Sequence, residues 1–413
     1  MKRQKQIQGS ALPVVLVLGT LMLLAVLALL GLSDIETWLS YGNQSRIQKE
    51  AWLESAMVLY ERDSILLERL DEQEAFTLFD DEPTSVVTLN RTRWGLYELI
   101  RATTDDGKIR RANLMGYQTE SPKKAALYVC DNRRAFTLAG KSNLKGTVHL
   151  PENGILYGQV QSDFYTGDRI AESQIRKSGE NMPGLENGVI DSLRQLLAIA
   201  GENKNVELLN AYEKRTGFFE PKEFVQADSL FGTTLYGNIV VCSPFGVEVD
   251  STSRLEDILI VAPQVVIREG FSGTLQIIAS DSVLIEKNVR LKYPSGIIIP
   301  EGTADSYIEI GESSEVNGYV IFRTATDIPP EKRTPHYAQQ EKSRVRGLLW
   351  VDGIAQLHGT VTGSLYVNQA NYYTPQGYYM NLLYNTRVYR SEAMVFPVWM
   401  QNDYPRKTAK WLY

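Results

Sequence analysis

The stretch ILIVAPQVVIREGFSGTLQIIASDSVLIEKNV (258–289) contains two copies of one pattern, and this repetition is the main evidence for the fold class. Residues 258–262 (ILIVA) align with residues 275–279 (LQIIA), and 265–271 (VVIREGF) align with 283–289 (VLIEKNV), at a shift of 17–18 residues. Each copy has short apolar alternation followed by a polar corner. Repetition at this period predicts a parallel β-helix, in which every coil stacks on the coil before it.

A second repeated feature recurs along the chain, both outside and within this stretch. The five-residue pattern apolar-x-Gly-x-apolar is centred on Gly146, Gly158, Gly237, Gly273, Gly318 and Gly359. Glycine adopts positive φ at little cost, so we expect these residues at tight corners, with Val, Ile and Leu ladders inside. The fold predicted is therefore mainly β, a right-handed parallel β-helix. A β-sandwich is the alternative, because it also has short strands and regular turns.

Composition excludes several classes of function. The 413 residues include 43 Lys and Arg against 49 Asp and Glu, so the net charge of −6 gives no reason to expect nucleic-acid binding. Three scattered His and two Cys are too few for a zinc site. We expect no metal and no cofactor.

The amino terminus predicts a membrane segment. Residues 10–32 (SALPVVLVLGTLMLLAVLALLGL) carry no charge, and 23 helical residues span about 34 Å, enough for a hydrocarbon core of about 30 Å. Lys2, Arg3 and Lys5 precede this run, and acidic residues follow it. The positive-inside bias then predicts an inner-membrane, single-pass protein with a cytoplasmic amino terminus and a periplasmic or extracellular domain.

The same segment resembles the start of type IV pilin-like proteins. A short basic leader, KRQKQIQG, ends in Gly9 and is joined directly to the apolar run, which begins at Ser10. The resemblance implies cleavage of the Gly9–Ser10 bond by a prepilin peptidase. Position 14 is Val where most major pilins have Glu, so the closer likeness is to PilX-like and GspK-like minor pilins. It implies other pilin-like subunits as partners.

The chain divides into six segments by pattern. Spacing of apolar residues, with Leu53, Met57 and Tyr60 on one face, predicts that a helix continues beyond the membrane. Asp105-Asp106-Gly107 predicts a hairpin turn. The arginines at 91, 93, 101, 110 and 111 predict a solvated face, with binding of an acidic partner helix as the alternative. The predicted segments are a leader (1–9), a transmembrane helix (10–32), a stalk helix (33–80), a β-hairpin region (81–122), a β-helix (123–370) with an insertion (161–234), and an aromatic cap (371–413). Within the insertion, the spacing of apolar residues predicts helix over 189–215.

Enzyme activity is not expected. Glycoside hydrolysis needs two facing carboxylates, and the candidates on adjacent coils all fit solvated corners: Glu269, Asp281, Glu286 and Glu309. Gly311-Glu312-Ser313 does not form a nucleophile elbow, and neither a phosphate loop nor a dinucleotide fingerprint is present.

Two further features leave alternatives open. Cys130 and Cys242 lie on apolar runs, where they could form a disulfide between stacked coils, although two buried free thiols are favoured. Residues 371–413 are rich in Tyr and Trp, which predicts strands that close the carboxy-terminal end of the β-helix, or else a surface that binds glycans or proteins.

These observations predict a non-enzymatic, membrane-anchored protein of the cell envelope. By resemblance it is a minor pilin-like subunit of a type IV pilus or type II secretion-like filament. The alternative is an unprocessed single-pass scaffold or a glycan-binding β-helix adhesin. The β-helix is also similar to bactofilin coils in its repeated Gly, but polymerisation is not inferred from that likeness.

Overall fold

The computed structural model describes residues 11–62, 73–118, 125–183, 187–202, 206–325, 334–391, 395–397 and 406–412. The predicted leader and the Gly9–Ser10 bond lie outside these residues. Contacts group the described residues into two units, one within 11–58, 75–88 and 102–110 and the other within 59–62, 73–74, 89–101 and 111–412.

One long helix occupies the amino-terminal part. Helix α1 runs from Ala11 to Arg62 without interruption. Within the first unit, Lys49 Nζ lies 2.7 Å from a carboxylate oxygen of Asp106, and Gln48 donates to Glu82. The predicted buried face is confirmed at Leu53, Met57 and Tyr60, all nearly inaccessible to solvent. The helix predicted to reach residue 80 is wrong at its end, because Gln73–Phe79 is a strand.

The predicted hairpin region is a meander rather than one hairpin. Its strands are β1 (Gln73–Phe79), β2 (Glu82–Trp94), β3 (Tyr97–Thr104) and β4 (Arg110–Gln118), in that order in one sheet. The predicted turn is confirmed: Gly107 has a φ of +67° and donates its N–H to the carbonyl of Thr104.

The rest of the chain is mainly one closed, barrel-like parallel sheet. Its seven longest rungs are β17 (Thr234–Cys242), β19 (Arg254–Ile267), β20 (Ser272–Ile285), β21 (Arg290–Gly302), β23 (Glu315–Thr324), β25 (Arg344–Leu357) and β26 (Thr360–Ala370). Each pairs in parallel with the next in this series. The alternative β-sandwich does not fit, because its sheets are antiparallel.

Shorter strands complete this sheet. They are β5 (Leu127–Val129), β7 (Asn143–Lys145), β8 (Val148–Leu150), β12 (Ile175–Lys177), β13 (Glu207–Leu208), β14 (Glu213–Thr216), β15 (Glu223–Gln226), β16 (Ser229–Leu230), β18 (Val247–Val249), β22 (Tyr307–Ile310), β24 (Tyr337–Gln339) and β30 (Arg387–Tyr389). Small separate sheets contain β6 (Phe136–Ala139), β9 (Ile155–Tyr157), β10 (Gln159–Val160), β11 (Asp163–Phe164), β27 (Tyr372–Thr374), β28 (Gly377–Tyr379) and β29 (Leu382–Tyr384).

The predicted repeat register is confirmed. Val265 pairs with Val283, and Ile258 pairs with Leu275, the shifts read from the sequence. Side chains alternate along each rung: Ile258 and Ile260 belong to the interior core, whereas Leu259 and Val261 belong to a second core outside the same wall. A wall covered on both faces explains why these runs are continuously apolar.

The glycine prediction holds only in part. Of the six pattern glycines, Gly146, Gly237 and Gly318 have φ between +92° and +140°. The other three are not among the glycines with positive φ: Gly158, Gly273 and Gly359. Gly318, Gly347 and Gly363 stand in register on three successive rungs. At Gly347 an added Cβ would lie 1.8 Å from the Gly318 carbonyl oxygen, so this column is needed for close approach of neighbouring rungs.

The insertion is less helical than predicted. Helix α2 runs from Asn187 to Glu202, with Leu193 buried. The chain resumes in the described residues at 206 with strands β13 and β14, so the helix predicted for 206–215 is wrong. Strand β12 within this insertion also belongs to the parallel sheet, where it pairs with β8, and a short 3-10 turn (Glu172–Gln174) precedes it.

Both ends of the parallel-sheet region, here called the body (residues 125–391), connect differently from the prediction. Strand β5 pairs in parallel with β26, so the first strand of the body stacks on its last long rung. Strands β31 (Val395–Phe396) and β32 (Arg406–Leu412) pair antiparallel with β4. These last two strands therefore extend the sheet of β1–β4 and do not close the β-helix as predicted, whereas β30 of the same region pairs with β26 and β7 in the parallel sheet.

Candidate functional site

The apolar half of α1 is the first candidate for a functional surface. The segment that begins at Leu12 reaches a mean hydropathy of 2.8, and none of its most apolar window is buried within the chain. Its length and composition are compatible with a single-pass membrane anchor. The position that carries Glu in major pilins, Val14, is 60% exposed.

Exposed apolar residues continue beyond the length of a membrane span. Ile35, Trp38, Leu39 and Ile47 are each more than half exposed, although they follow Asp34 and stand past residue 32. At about 1.5 Å per residue the 52 residues of α1 extend about 78 Å, more than twice a hydrocarbon core. Burial of this helix begins only near Trp52, which is 7% exposed. A helix surface of this kind can pack against other helices.

The arginines around the meander form the predicted solvated face only in part. Arg110 is exposed, whereas the others are half-buried: Arg91, Arg93, Arg101 and Arg111. Arg91 and Arg93 line a cleft of about 520 Å³ together with Lys222 and the apolar face of α2. Lys222 Nζ donates to the Arg93 carbonyl at 3.2 Å. The pKa of Lys222 is lowered, mainly because the ammonium group is buried and also because Arg101 repels it.

One buried ion pair stands at the edge of this cleft. Arg406 Nε lies 2.9 Å from a carboxylate oxygen of Glu98, whose side chain is 6% exposed. The Tyr60 hydroxyl donates to the same carboxylate oxygen of Glu98 at 3.0 Å, and burial raises the pKa of Tyr60. Because both charges are paired and hydrogen-bonded, this cluster is explained by structure alone.

The carboxylates considered for glycoside hydrolysis are engaged in other contacts. Glu286 accepts from Arg268 at 2.7 Å and from the backbone N–H of Glu269, and the first of these contacts lowers the pKa of Glu286. Glu269 contacts Lys287, and Glu309 accepts from Gln340. Asp281 accepts from Ser280, so each of these four carboxylates has a partner within its own surroundings.

The two cysteines are free and buried. Burial raises the pKa of each thiol to about 12, with a further contribution from Asp352 at Cys130. A thiol that stays protonated is a poor nucleophile, so the structure favours a packing role for both.

The tyrosines that follow Ala370 form a compact group beside the last rungs. Tyr372 and Tyr373 lie on β27, opposite Tyr379 and Tyr378 on β28. The ring centroids of Tyr372 and Tyr384 are 4.8 Å apart, and the Tyr384 hydroxyl donates to Asp163 at 2.8 Å. With His358 and Arg387, the rings of Tyr372 and Tyr384 line a depression of about 320 Å³.

The prediction from sequence missed a basic groove next to this depression. Arg344, Arg346, Arg387 and Tyr389 line it, with Thr360 and Thr362 between them, and its volume is about 490 Å³. The available signal was a repeated polar-Val-polar-Gly pattern, EVNG (315–318), RVRG (344–347) and TVTG (360–363), which stacks polar side chains on one outer face.

Metal binding finds no support in the part of the chain that the structure describes, where His, Cys, Asp and Glu form no group of three suited to an ion. Comparison with protein-family models, curated proteins and solved structures finds no match.

Proposed function

We propose that this protein is a non-enzymatic, single-pass anchored component of the cell envelope that works by assembly, as a minor pilin-like subunit of a type IV pilus or type II secretion-like filament. In this proposal α1 holds the chain in the inner membrane and packs against the helices of other subunits. The parallel sheet is a right-handed β-helix, displayed on the periplasmic or extracellular side.

One observation carries the proposal: α1 is a single 52-residue helix whose exposed apolar surface continues well past the length of a membrane span. A plain anchor needs only about 20 apolar residues. The side chains of Ile35, Leu39 and Ile47 are exposed in a part of the helix that lies beyond the lipid. Packing against helices of neighbouring subunits would bury these apolar side chains.

Right-handedness of the β-helix is supported by a general rule. Consecutive strands of this sheet are parallel, and connections between parallel strands of one sheet are right-handed in about 98% of cases. The prepilin leader is supported by the sequence alone, since Gly9 and Ser10 lie outside the described residues.

The decisive experiment is the intact mass and amino-terminal sequence of the protein recovered from its native membrane. We expect a chain that starts at Ser10, and we expect Gly9→Ala to leave the leader attached. Gly19→Ala is the matched control, because an added Cβ at Gly19 meets nothing within 4 Å. A native chain that still starts at Met1 would overturn the filament proposal and favour the alternative, an unprocessed anchored scaffold.

Protease digestion of intact and lysed spheroplasts tests the orientation separately. Digestion of the body in intact spheroplasts would agree with a periplasmic domain. Protection until lysis would contradict the predicted topology.

A further inference from the structure

The basic groove and the tyrosine depression form one continuous surface, because Thr360 and Arg387 line both. Register explains its regularity. Arg344, Thr360, Arg387 and Asn143 occupy equivalent positions on four neighbouring rungs, and so do Arg346, Thr362, Tyr389 and Lys145. Neighbouring rungs are about 4.8 Å apart, so these two rows present polar groups at regular steps along the sheet.

The groove is positively charged on an acidic protein. Glu315 accepts from Arg346 at 2.9 Å and lies 3.7 Å from Arg290. In the described part of the chain, neither Arg344 nor Arg387 has a carboxylate within ion-pair distance, and both are exposed. The chain as a whole has a net charge of −6, so this local excess of arginine is complementary to an anionic ligand.

The adjoining depression adds aromatic faces to this charge. Tyr372 packs against His358 with ring centroids 5.3 Å apart and against Tyr384 at 4.8 Å. Lys141 is a further cation in the depression, Lys342 is paired with Glu312, and Glu341 is the acidic residue that lines it. Burial lowers the pKa of His358, so this ring is neutral at pH 7 and contributes a stacking face.

We propose that this surface binds an anionic polysaccharide, laid along the rungs so that Arg344 and Arg387 meet its carboxylate or sulfate groups while a sugar ring stacks on Tyr372. Threonine hydroxyls at Thr360 and Thr362 are suited to hydrogen bonding with sugar hydroxyls. A ladder of equivalent positions matches a ligand that is itself a repeating chain. The proposal does not rest on filament assembly, because every residue involved lies in the β-helix-like body and its carboxy-terminal extension.

Binding is tested with the full-length protein in detergent micelles, by titration with a heparin oligosaccharide. Neutral dextran and inorganic polyphosphate serve as comparison ligands. We expect heparin to bind, dextran not to bind, and the affinity for heparin to fall as salt is raised. Removing two charge-assisted contacts in Arg344→Ala/Arg387→Ala should lower affinity at least tenfold.

The aromatic contribution needs its own variants. Tyr372→Ala should lower the affinity for heparin about three- to tenfold, whereas Tyr372→Phe, which keeps the ring, should bind like the native protein. Arg215→Ala/Lys287→Ala is the charge-matched control, since both side chains are exposed and lie outside this surface. Thermal unfolding of each variant establishes that it is folded.

Three results would overturn the proposal. The first is no binding of heparin. The second is an equal loss of affinity in the charge-matched control, which would indicate non-specific attraction. The third is polyphosphate binding as tight as heparin binding with no effect of Tyr372→Ala, which would indicate a general anion surface without sugar recognition.

Discussion

The glycine column of the parallel sheet gives the sharpest test of the fold. We predict that Gly347→Ala is strongly destabilising. Gly347 has a φ of +131°, and an ideal Cβ would lie 1.8 Å from the Gly318 carbonyl oxygen and 2.8 Å from its carbonyl carbon. Backbone atoms cannot move away on their own as the end of a flexible side chain can. The rungs β23 and β25 would therefore have to separate at this point.

The magnitude has two parts. Placing an L side chain at positive φ costs about 1–2 kcal/mol. Separating the rungs breaks ladder hydrogen bonds, and each buried group left without a partner costs about 1–3 kcal/mol. With one buried group left without a partner, the two parts sum to about 2–5 kcal/mol. We therefore expect Gly347→Ala to lower the free energy of unfolding by this amount, toward the upper end for single substitutions.

The matched control is Gly154→Ala. Gly154 has a φ of +71°, but an added Cβ there meets nothing within 4 Å, so only the conformational cost of about 1–2 kcal/mol applies. The measurement is denaturant unfolding of the full-length protein in micelles, followed by far-ultraviolet circular dichroism and tryptophan fluorescence. If Gly347→Ala is no more destabilising than Gly154→Ala, the close approach of the two rungs is refuted.

Two further predictions concern titratable groups. Because burial raises the pKa of Cys130 and Cys242 to about 12, iodoacetamide at pH 8 should leave both thiols unmodified in the folded protein and modify both after denaturation; rapid labelling of the native chain would contradict their burial. Contact with Arg268 lowers the pKa of Glu286 in the folded state. The contact therefore stabilises the fold at pH values above the unfolded pKa of about 4.3. This stabilisation is lost as the pH falls through the folded pKa. Arg268→Ala should therefore reduce the loss of thermal stability on acidification below about pH 4.3, whereas Arg133→Ala, which removes an exposed ion pair, should not; identical pH profiles for Arg268→Ala and the native protein would refute this.

Local patterns were sufficient for much of the fold. The alignment of 265–271 with 283–289 predicted the pairing of Val265 with Val283, because equivalent side chains must face the same interior in stacked rungs. Helical spacing likewise predicted the buried face of α1 at Leu53 and Met57. Both are short-range consequences of backbone period, which a sequence displays directly.

Long-range pairing was beyond that reasoning. Strand β5 joins the last long rung rather than the first, and β32 joins β4 almost three hundred residues earlier. Any apolar strand can satisfy an open edge of a parallel sheet, so the sequence does not say which edge it meets. The helix predicted for 206–215 failed for a related reason: pairing of β13 with β15 and of β14 with β17 outweighs local helical spacing.

An apolar amino-terminal helix and a repeating parallel sheet can therefore be inferred from local sequence, because hydrophobic length and strand period are local properties of the chain. The places where surface residues meet depend instead on how the rungs stack. Arg344 and Arg387 stand more than forty residues apart in sequence, and Tyr372 belongs to a separate hairpin. Stacking of the rungs brings Arg344 and Arg387 into one groove, and Arg387 also lines the depression that contains Tyr372. The rungs do this because their register places equivalent positions of neighbouring rungs about 4.8 Å apart, whatever their separation along the chain.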